Sequence, residues 1–258
     1  MVSRKLITVV MAAYNEEDRI SEAIDSIINQ TYRGWGLIII NDSSSDNTQE
    51  IIDSYVRKDS RIISIKNPRN MGLAYSLNRA ISISDSTFIA RMDADDISLP
   101  NRLQVQLDYM LENPDIDVLG TAAFVKNSNT DEKFLVTKPE LHRQIVLSIK
   151  KINPFFHSSV LINMDFLKQL NGYDENFKRA QDYDLWLRGV DRHQYHNLAE
   201  PLLIYVERTQ SMKSILYGFK VRMVNAVRRK CFFSGGLIAI SVLFYGLFLK
   251  SSRVITNK

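Results

Sequence analysis

The chain has 258 residues, enough for one large α/β domain or two small ones with a sizeable core. Its 45% apolar and 24% charged composition is that of a folded protein, and the single cysteine, Cys231, excludes an intrachain disulfide and suits a reducing compartment. The net charge of +4 is unevenly spread: residues 211–258 hold nine Lys/Arg and no Asp/Glu, which leaves residues 1–210 with 24 basic against 29 acidic side chains and no basic stripe of the kind that binds nucleic acid.

From the N-terminus, the apolar run Leu6–Ala12 reads as a buried parallel strand. It is too short for a secretory leader, and polar Tyr14-Asn15-Glu16-Glu17 follows at once. Residues 18–29 place Ile20, Ala23, Ile24, Ile27 and Ile28 on one helical face. Strands are expected at 35–40, 62–65 and 88–92, and helices at 48–56 and 72–83. This alternation predicts an α/β fold with a parallel sheet covered on both faces. Beyond residue 115 the rhythm loosens, with strands expected at 118–124 and 159–162 and helices at 140–149 and 181–188.

Ligands of such sheets bind beyond the carboxyl ends of the strands. Four polar clusters fall at those ends: Tyr14-Asn15-Glu16, Asn41-Asp42-Ser43, Asn67 to Gly72, and Asp93 to Asp96. In the last, carboxylates at i and i+2 after a strand can converge on a hard divalent cation, Mg²⁺ or Mn²⁺, that also holds phosphate oxygens. The competing reading is an acidic turn that caps the helix beginning near Pro100.

The C-terminal segment has a different character. Residues 231–249 are 19 residues without a charge, about 28 Å as a helix at ~1.5 Å per residue, close to a bilayer's ~30 Å hydrocarbon core. Upstream, Met212, Ile215, Leu216, Phe219, Met223 and Val227 recur at helical spacing among Lys213, Lys220 and Arg222. That is the pattern of a basic helix on an anionic membrane surface, or of one packed on the body. The apolar stretch is expected to span the bilayer or to lie in it.

Five segments taken together resemble the family-2 inverting glycosyltransferases of the GT-A fold, over roughly Leu6 to Glu207. They are Val9 to Glu17 (VVMAAYNEE), Asn41 to Thr48 (NDSSSDNT), Asn70 to Ala74 (NMGLA), Asp93 to Leu103 (DADDISLPNRL) and Gln181 to Arg188 (QDYDLWLR). The resemblance implies a GT-A domain over 1–210, with a nucleotide-sugar-binding half (1–115) and an acceptor half (116–210); the membrane-associated segment expected over 211–258 lies beyond it. By the same resemblance Ala13, Tyr14, Asn15 and Glu16 border the nucleotide. Asp42 accepts the base N–H, which favours a UDP-sugar donor, and Asn70 and Gly72 line the base and ribose. Asp93 and Asp95 match the Asp-X-Asp motif, Asp95 as the direct metal ligand and Asp93 on the ribose or through water, with Asp96 structural. Asp182 matches the catalytic base, its alternative being a helix cap; Gln181 replaces an acidic residue often found before it. Asp46 is either part of the site or a cap for the helix at Thr48. His157 either donates to a phosphate or is structural, Trp186 is core or cleft wall rather than a sugar platform, and Arg208, at the start of the tail, is a candidate to reach the diphosphate.

The Gln-X-X-Arg-Trp motif and the several membrane spans of the processive synthases are missing, so one or a few sugars per acceptor are expected. The expected partners are a nucleoside diphosphate sugar, a lipid-linked saccharide acceptor and a membrane surface, and no nucleic acid. The heavier positive charge before the apolar stretch puts the body on the cytoplasmic face of the membrane. Two other functions were weighed. A sugar nucleotidyltransferase would need a Gly- and Arg/Lys-rich loop after the first strand, where this chain has Met11 to Glu16. A catalytically silent binding protein would not need both the metal pair and the base.

Overall fold

The computed structural model describes residues 5–127, 132–207, 219–221 and 223–225. Its elements in chain order are β1 (Ile7–Ala13), α1 (Ile20–Ile28), β2 (Trp35–Asn41), α2 (Thr48–Val56), β3 (Ile62–Lys66), α3 (Leu73–Ser82), β4 (Phe88–Asp93), β5 (Ile97–Ser98) and α4 (Arg102–Glu112). They continue with β6 (Ile116–Asn127), β7 (Lys133–Val136), α5 (His142–Ser148), β8 (Leu161–Asn163), α6 (Met164–Gln169), α7 (Gln181–Gly189) and β9 (Gln194–Glu207). All nine strands join one mixed sheet, in the order β3-β2-β1-β4-β8-β6-β9-β5, with β7 paired to β6. β3, β2, β1 and β4 are parallel, β8 is antiparallel to both β4 and β6, and β9 runs parallel to β6 and antiparallel to β5.

The parallel strands read as continuous apolar runs because both their faces are covered. Successive strand side chains point to opposite faces. Val9, Met11, Leu37, Ile39, Ala90 and Met92 pack in one core with Ile20, Ala23, Ile24 and Ile27 of α1 and Leu103 and Leu107 of α4. Val10, Ile38, Ile40 and Ile89 pack in the other with Ala74, Leu77 and Ala80 of α3, Phe166 of α6 and Leu185 and Trp186 of α7. Each such isoleucine or leucine contributes about 1.5–3 kcal/mol by leaving water.

Through β4 the observed elements follow the expected ones to within two residues at each end. Beyond that the structure departs. β9, with 14 residues, was not anticipated, nor were β5, β7 and α6. Ser159, expected to open the strand 159–162, instead closes a 3-10 turn over His157–Ser159 before β8, because Ser159 Oγ donates back to Phe156 O (2.9 Å) and satisfies the backbone locally.

Residues 219–221 and 223–225 are helical and pack on the body: Val221 is buried, and Asn225 Nδ2 donates to Asp184 Oδ1 (2.9 Å). The apolar stretch 231–249 and Arg208 lie outside the described residues. Among the described residues no helix is long and apolar enough to cross a membrane.

Candidate active site

The carboxyl ends of β2 and β3 and the start of α3 close around one carboxylate. Asp42 follows β2 directly and is buried. Its Oδ1 accepts from Asn67 Nδ2 (2.6 Å) and Met71 N (2.8 Å), and its Oδ2 from Gly72 N (2.8 Å). A carboxylate offers about four lone-pair sites, so Oδ2 keeps one for a ligand N–H. Asn67 is itself fixed by Arg79 Nη1 (2.6 Å) and by Ser76 Oγ (2.9 Å). Gly72 has φ +93° and ψ 161°, a region in which side chains other than hydrogen are strained. A Cβ there would meet nothing within 4 Å, so backbone conformation, not space, calls for glycine.

The loop after β1 leans on the same wall. Ala13 O accepts from Asp42 N (2.8 Å), Asn15 (φ +54°) accepts on Oδ1 from Ser45 N (2.9 Å), and Glu16 N donates to Thr48 Oγ1 (2.9 Å). Tyr14 is 47% exposed at this rim, and Asn70 is exposed on the loop that leads to Gly72. The residues expected around a nucleotide thus share one wall. Asp46 takes the capping alternative: Oδ1 accepts from Thr48 N (3.0 Å) and Oδ2 from Glu17 N (3.1 Å). Against the cost of partial burial, these bonds hold its carboxyl below the usual range.

At the end of β4, Asp93, Asp95 and Asp96 each offer a carboxylate oxygen within 4.8 Å of the others. Asp93 is gripped on both sides, by Arg91 on Oδ1 and by Ser158 Oγ on Oδ2 (3.0 Å). Arg91 is fully buried and also donates to Ser158 Oγ (2.6 Å). Burial would lower its pKa, and the adjacent Asp93 charge more than reverses that. Asp95 lies 3.9 Å from Arg19 Nη1. Asp96 does the structural work expected of it, accepting from Val206 N of β9 (2.8 Å), yet its buried Oδ2 makes no hydrogen bond. Burial and the charges of Asp93 and Asp95 push its carboxyl up to about 8. Three hard oxygen donors, an orphaned buried carboxylate oxygen and mutual repulsion fit a divalent cation: Asp95 and Asp96 offer oxygens, with Asp93 held beside them.

The other expected carboxylate, Asp182, stands in the first turn of α7. The left-handed Ala180 (φ +57°) takes the cap position of α7, so Asp182 is a first-turn residue rather than the cap itself, although its carboxylate still accepts from Tyr183 N at the helix start. Its Oδ2 accepts from Asn153 Nδ2 (2.5 Å). Burial raises its pKa, opposed by bonds from Tyr183 N and Asn153 and by the Arg91 charge. Asp184, two residues on and so on the opposite side of the helix, pairs with Arg188 (2.7 Å) and holds Asn225 instead.

The two acidic sites share neighbours. Arg91 bonds Asp93 and acts electrostatically on Asp182, and the Asp93 and Asp182 charges both add to the burial that raises the Tyr173 and Tyr205 phenols. Lys138 extends over the Phe156 ring (4.5 Å), donates to Asn153 O (3.5 Å) and feels Asp182. Burial nevertheless lowers its pKa. His157 settles on its structural alternative: Nε2 pairs with Tyr173 Oη (2.8 Å), and burial, then Arg91, holds the ring neutral. Trp186 is core, fully buried. The sequence reading passed over Arg91, Tyr173, Tyr205 and Lys138. Only Arg91 carried a signal, as a charge inside an otherwise buried apolar strand.

Known proteins resemble this chain throughout. An uncharacterized glycosyltransferase of Methanocaldococcus jannaschii is 34% identical over 99% of this chain and 91% of its own length. A UDP-Glc:alpha-D-GlcNAc-diphosphoundecaprenol beta-1,3-glucosyltransferase of Escherichia coli is 31% identical over 70% of this chain and 68% of its own. Among solved structures, S. aureus TarS 1-349 in complex with UDP-GlcNAc superposes with a TM-score of 0.70 at 20% identity, covering 86% of this chain and 65% of that one. This likeness shows a shared α/β fold with a GT-A type of sheet. The sequence profile of glycosyl transferase family 2 matches residues 8–170, and the chain belongs to that family.

Proposed function

We propose that the protein transfers one sugar from a nucleoside diphosphate donor, a UDP-sugar in the first instance, to a lipid-linked or saccharide acceptor in cell-surface polysaccharide assembly, by a single inverting displacement. One observation carries this reading. A cation-fitting carboxylate cluster and a separate half-buried carboxylate, Asp182, act electrostatically on the same groups, buried Arg91 and Tyr173 and half-buried Tyr205. That is the separation of leaving-group and nucleophile functions an in-line displacement needs. The E. coli relative's UDP-glucose donor and diphosphoundecaprenol-linked acceptor, and the UDP-GlcNAc bound in TarS, support the choice of substrates.

In this mechanism the Asp42 wall binds the base and ribose, and the Asp93–Asp96 cluster receives the diphosphate. A bound divalent cation would neutralise charge on the departing nucleoside diphosphate. The acceptor oxygen forms its bond to the anomeric carbon as the carbon–oxygen bond to the diphosphate breaks, and Asp182 takes the hydroxyl proton. Burial of Asp182 raises its basicity toward that task, and Asn153 keeps it ionised and aimed. The basic segment 211–258 would hold the domain at the cytoplasmic face of the membrane.

The test is release of UDP from a panel of nucleotide sugars with and without Mn²⁺, for wild type, Asp95→Ala and Asp182→Asn. Cation-dependent turnover that both substitutions abolish is the expected result; turnover unaffected by either would remove the assigned chemistry.

A further inference from the structure

Nine large hydrophobic side chains are exposed among the described residues, and five of them, Phe134, Leu135, Leu141, Leu147 and Ile152, fall within one stretch. That stretch, residues 133–152, carries five Lys/Arg and one Glu, while residues 1–210 as a whole carry 24 against 29. The structure concentrates this character on α5. Arg143 and Leu147 stand at i and i+4 on one face of α5, Lys150 follows in the turn just after it, and all three are exposed, Leu147 to 68%. Ile145 and Ile149 hold the opposite face to the core.

This edge is fastened to the proposed base. Ile149 O accepts from Tyr183 Oη (2.5 Å), and Asn153, directly after the exposed Ile152, donates to Asp182. Asn197 Nδ2 ties the segment down on both sides of α5, donating to Pro139 O (2.7 Å) and Pro154 O (3.1 Å). An apolar and basic edge therefore stands at a fixed position beside Asp182.

We infer that the outer face of α5 and the turn after it dock on an anionic lipid surface. Exposed aliphatic side chains enter the headgroup region while flanking Lys and Arg keep their charges at the phosphates. Charge complementarity selects the occupant and its orientation, since the remainder of the body is acidic and an anionic bilayer repels it, leaving this edge to face the lipid. The consequence for catalysis, presentation of a lipid-linked hydroxyl to Asp182, rests on the glycosyl-transfer reading above; the docking itself does not.

The experiment uses the full chain and vesicles of phosphatidylcholine, alone or mixed with phosphatidylglycerol, with binding read by co-sedimentation. Leu147→Asp/Ile152→Asp is expected to lower the partition coefficient on mixed vesicles about tenfold or more, and Arg143→Glu/Lys150→Glu to lower it as much on mixed vesicles but not on neutral ones. Because the basic tail is present in every protein, the differences report the α5 edge alone. Wild-type melting and donor hydrolysis in both variants confirm that the fold and the donor site are intact. Partition within about twofold of wild type in both variants overturns the inference. So does unchanged vesicle binding combined with loss of a dimer in sedimentation velocity, which would give the face to a second copy. If wild type hydrolyses no nucleotide sugar while the partition changes appear as expected, the glycosyl-transfer reading fails and the docking edge stands.

Discussion

In residues 5–115, β1, β2 and β3 are each followed by a helix and then by another strand of the same parallel array. In residues 116–207, partners are remote: β9 comes last in the chain yet sits between β6 and β5, and β8 enters between β4 and β6. The two halves hold their functional groups accordingly. Asp42 is pinned largely by backbone N–H groups of one turn. Asp182 is aimed by the side chain of Asn153, 29 residues away in the chain, and Asp93, at the end of the first half, is held by Arg91 of its own strand and by Ser158 from the second. Changes in the first half should therefore act on nucleotide affinity, and changes in the second on turnover and its pH dependence.

The largest expected effect separates the halves outright. Asp182→Asn should lower kcat by about 10²–10⁴, the range for losing a general base, with the UDP dissociation constant within about twofold of wild type. Loss of UDP affinity on the same scale would show that the halves are not separable. The mirror experiment is Asp42→Asn, which removes a charge and sets an amide N–H₂ against the donors of Asn67, Met71 and Gly72. Isothermal titration should show UDP binding weakened about tenfold or more, equivalent to ~1.4 kcal/mol or beyond, with kcat at saturating donor little changed.

A smaller effect sharpens the assignment of Asp182. Burial places its pKa above the ordinary carboxylate value, and a base must be ionised, so activity should be lost as pH falls through that raised value. The Asn153 bond favours the ionised form and lowers the pKa. Asn153→Ala should raise it further and move the acid limb of the kcat/KM profile to higher pH, leaving a deficit on that limb that closes as pH rises. A limb at the wild-type position would detach Asn153 from the base.

What was legible in the sequence follows the same division. β1 to β4 and their helices were readable because a strand buried on both faces is a continuous apolar run, and α1 and α3 show their inward faces at 3.6-residue spacing. β9 was not. Its run contains Asn197, Glu200 and Pro201, and Pro201 pairs with Ala122 at a register irregularity, where a missing N–H costs no regular ladder bond. The same contrast applies to the site. Asp42, Gly72 and Asp93 to Asp96 stood out as turn and carboxylate residues just past strand ends, where the topology gathers them. Tyr173 and Tyr205 gave no signal, because phenols are ordinary core residues until folding sets them beside two carboxylates.

The smallest expected effect tests whether the donor wall is a matter of backbone alone. Gly72 N donates to Asp42 Oδ2 from φ +93°, and no atom lies within 4 Å of where its Cβ would stand. Gly72→Ala therefore adds strain without a clash, a cost of about 1–3 kcal/mol if the turn is kept. If the turn relaxes instead, the strain is relieved and the Gly72–Asp42 bond is lost, so a smaller drop in melting temperature should accompany weaker UDP binding. Gly120 in the acceptor half is the opposite case. A Cβ there would stand 2.1 Å from Asn197 Oδ1 and 2.6 Å from Phe155, so crowding rather than dihedral strain forbids it. The discriminating measurement is UDP affinity beside the thermal melt for both alanine variants. Only Gly72→Ala should couple the two, because only there does the backbone that carries the strain also bind the carboxylate that meets the nucleotide.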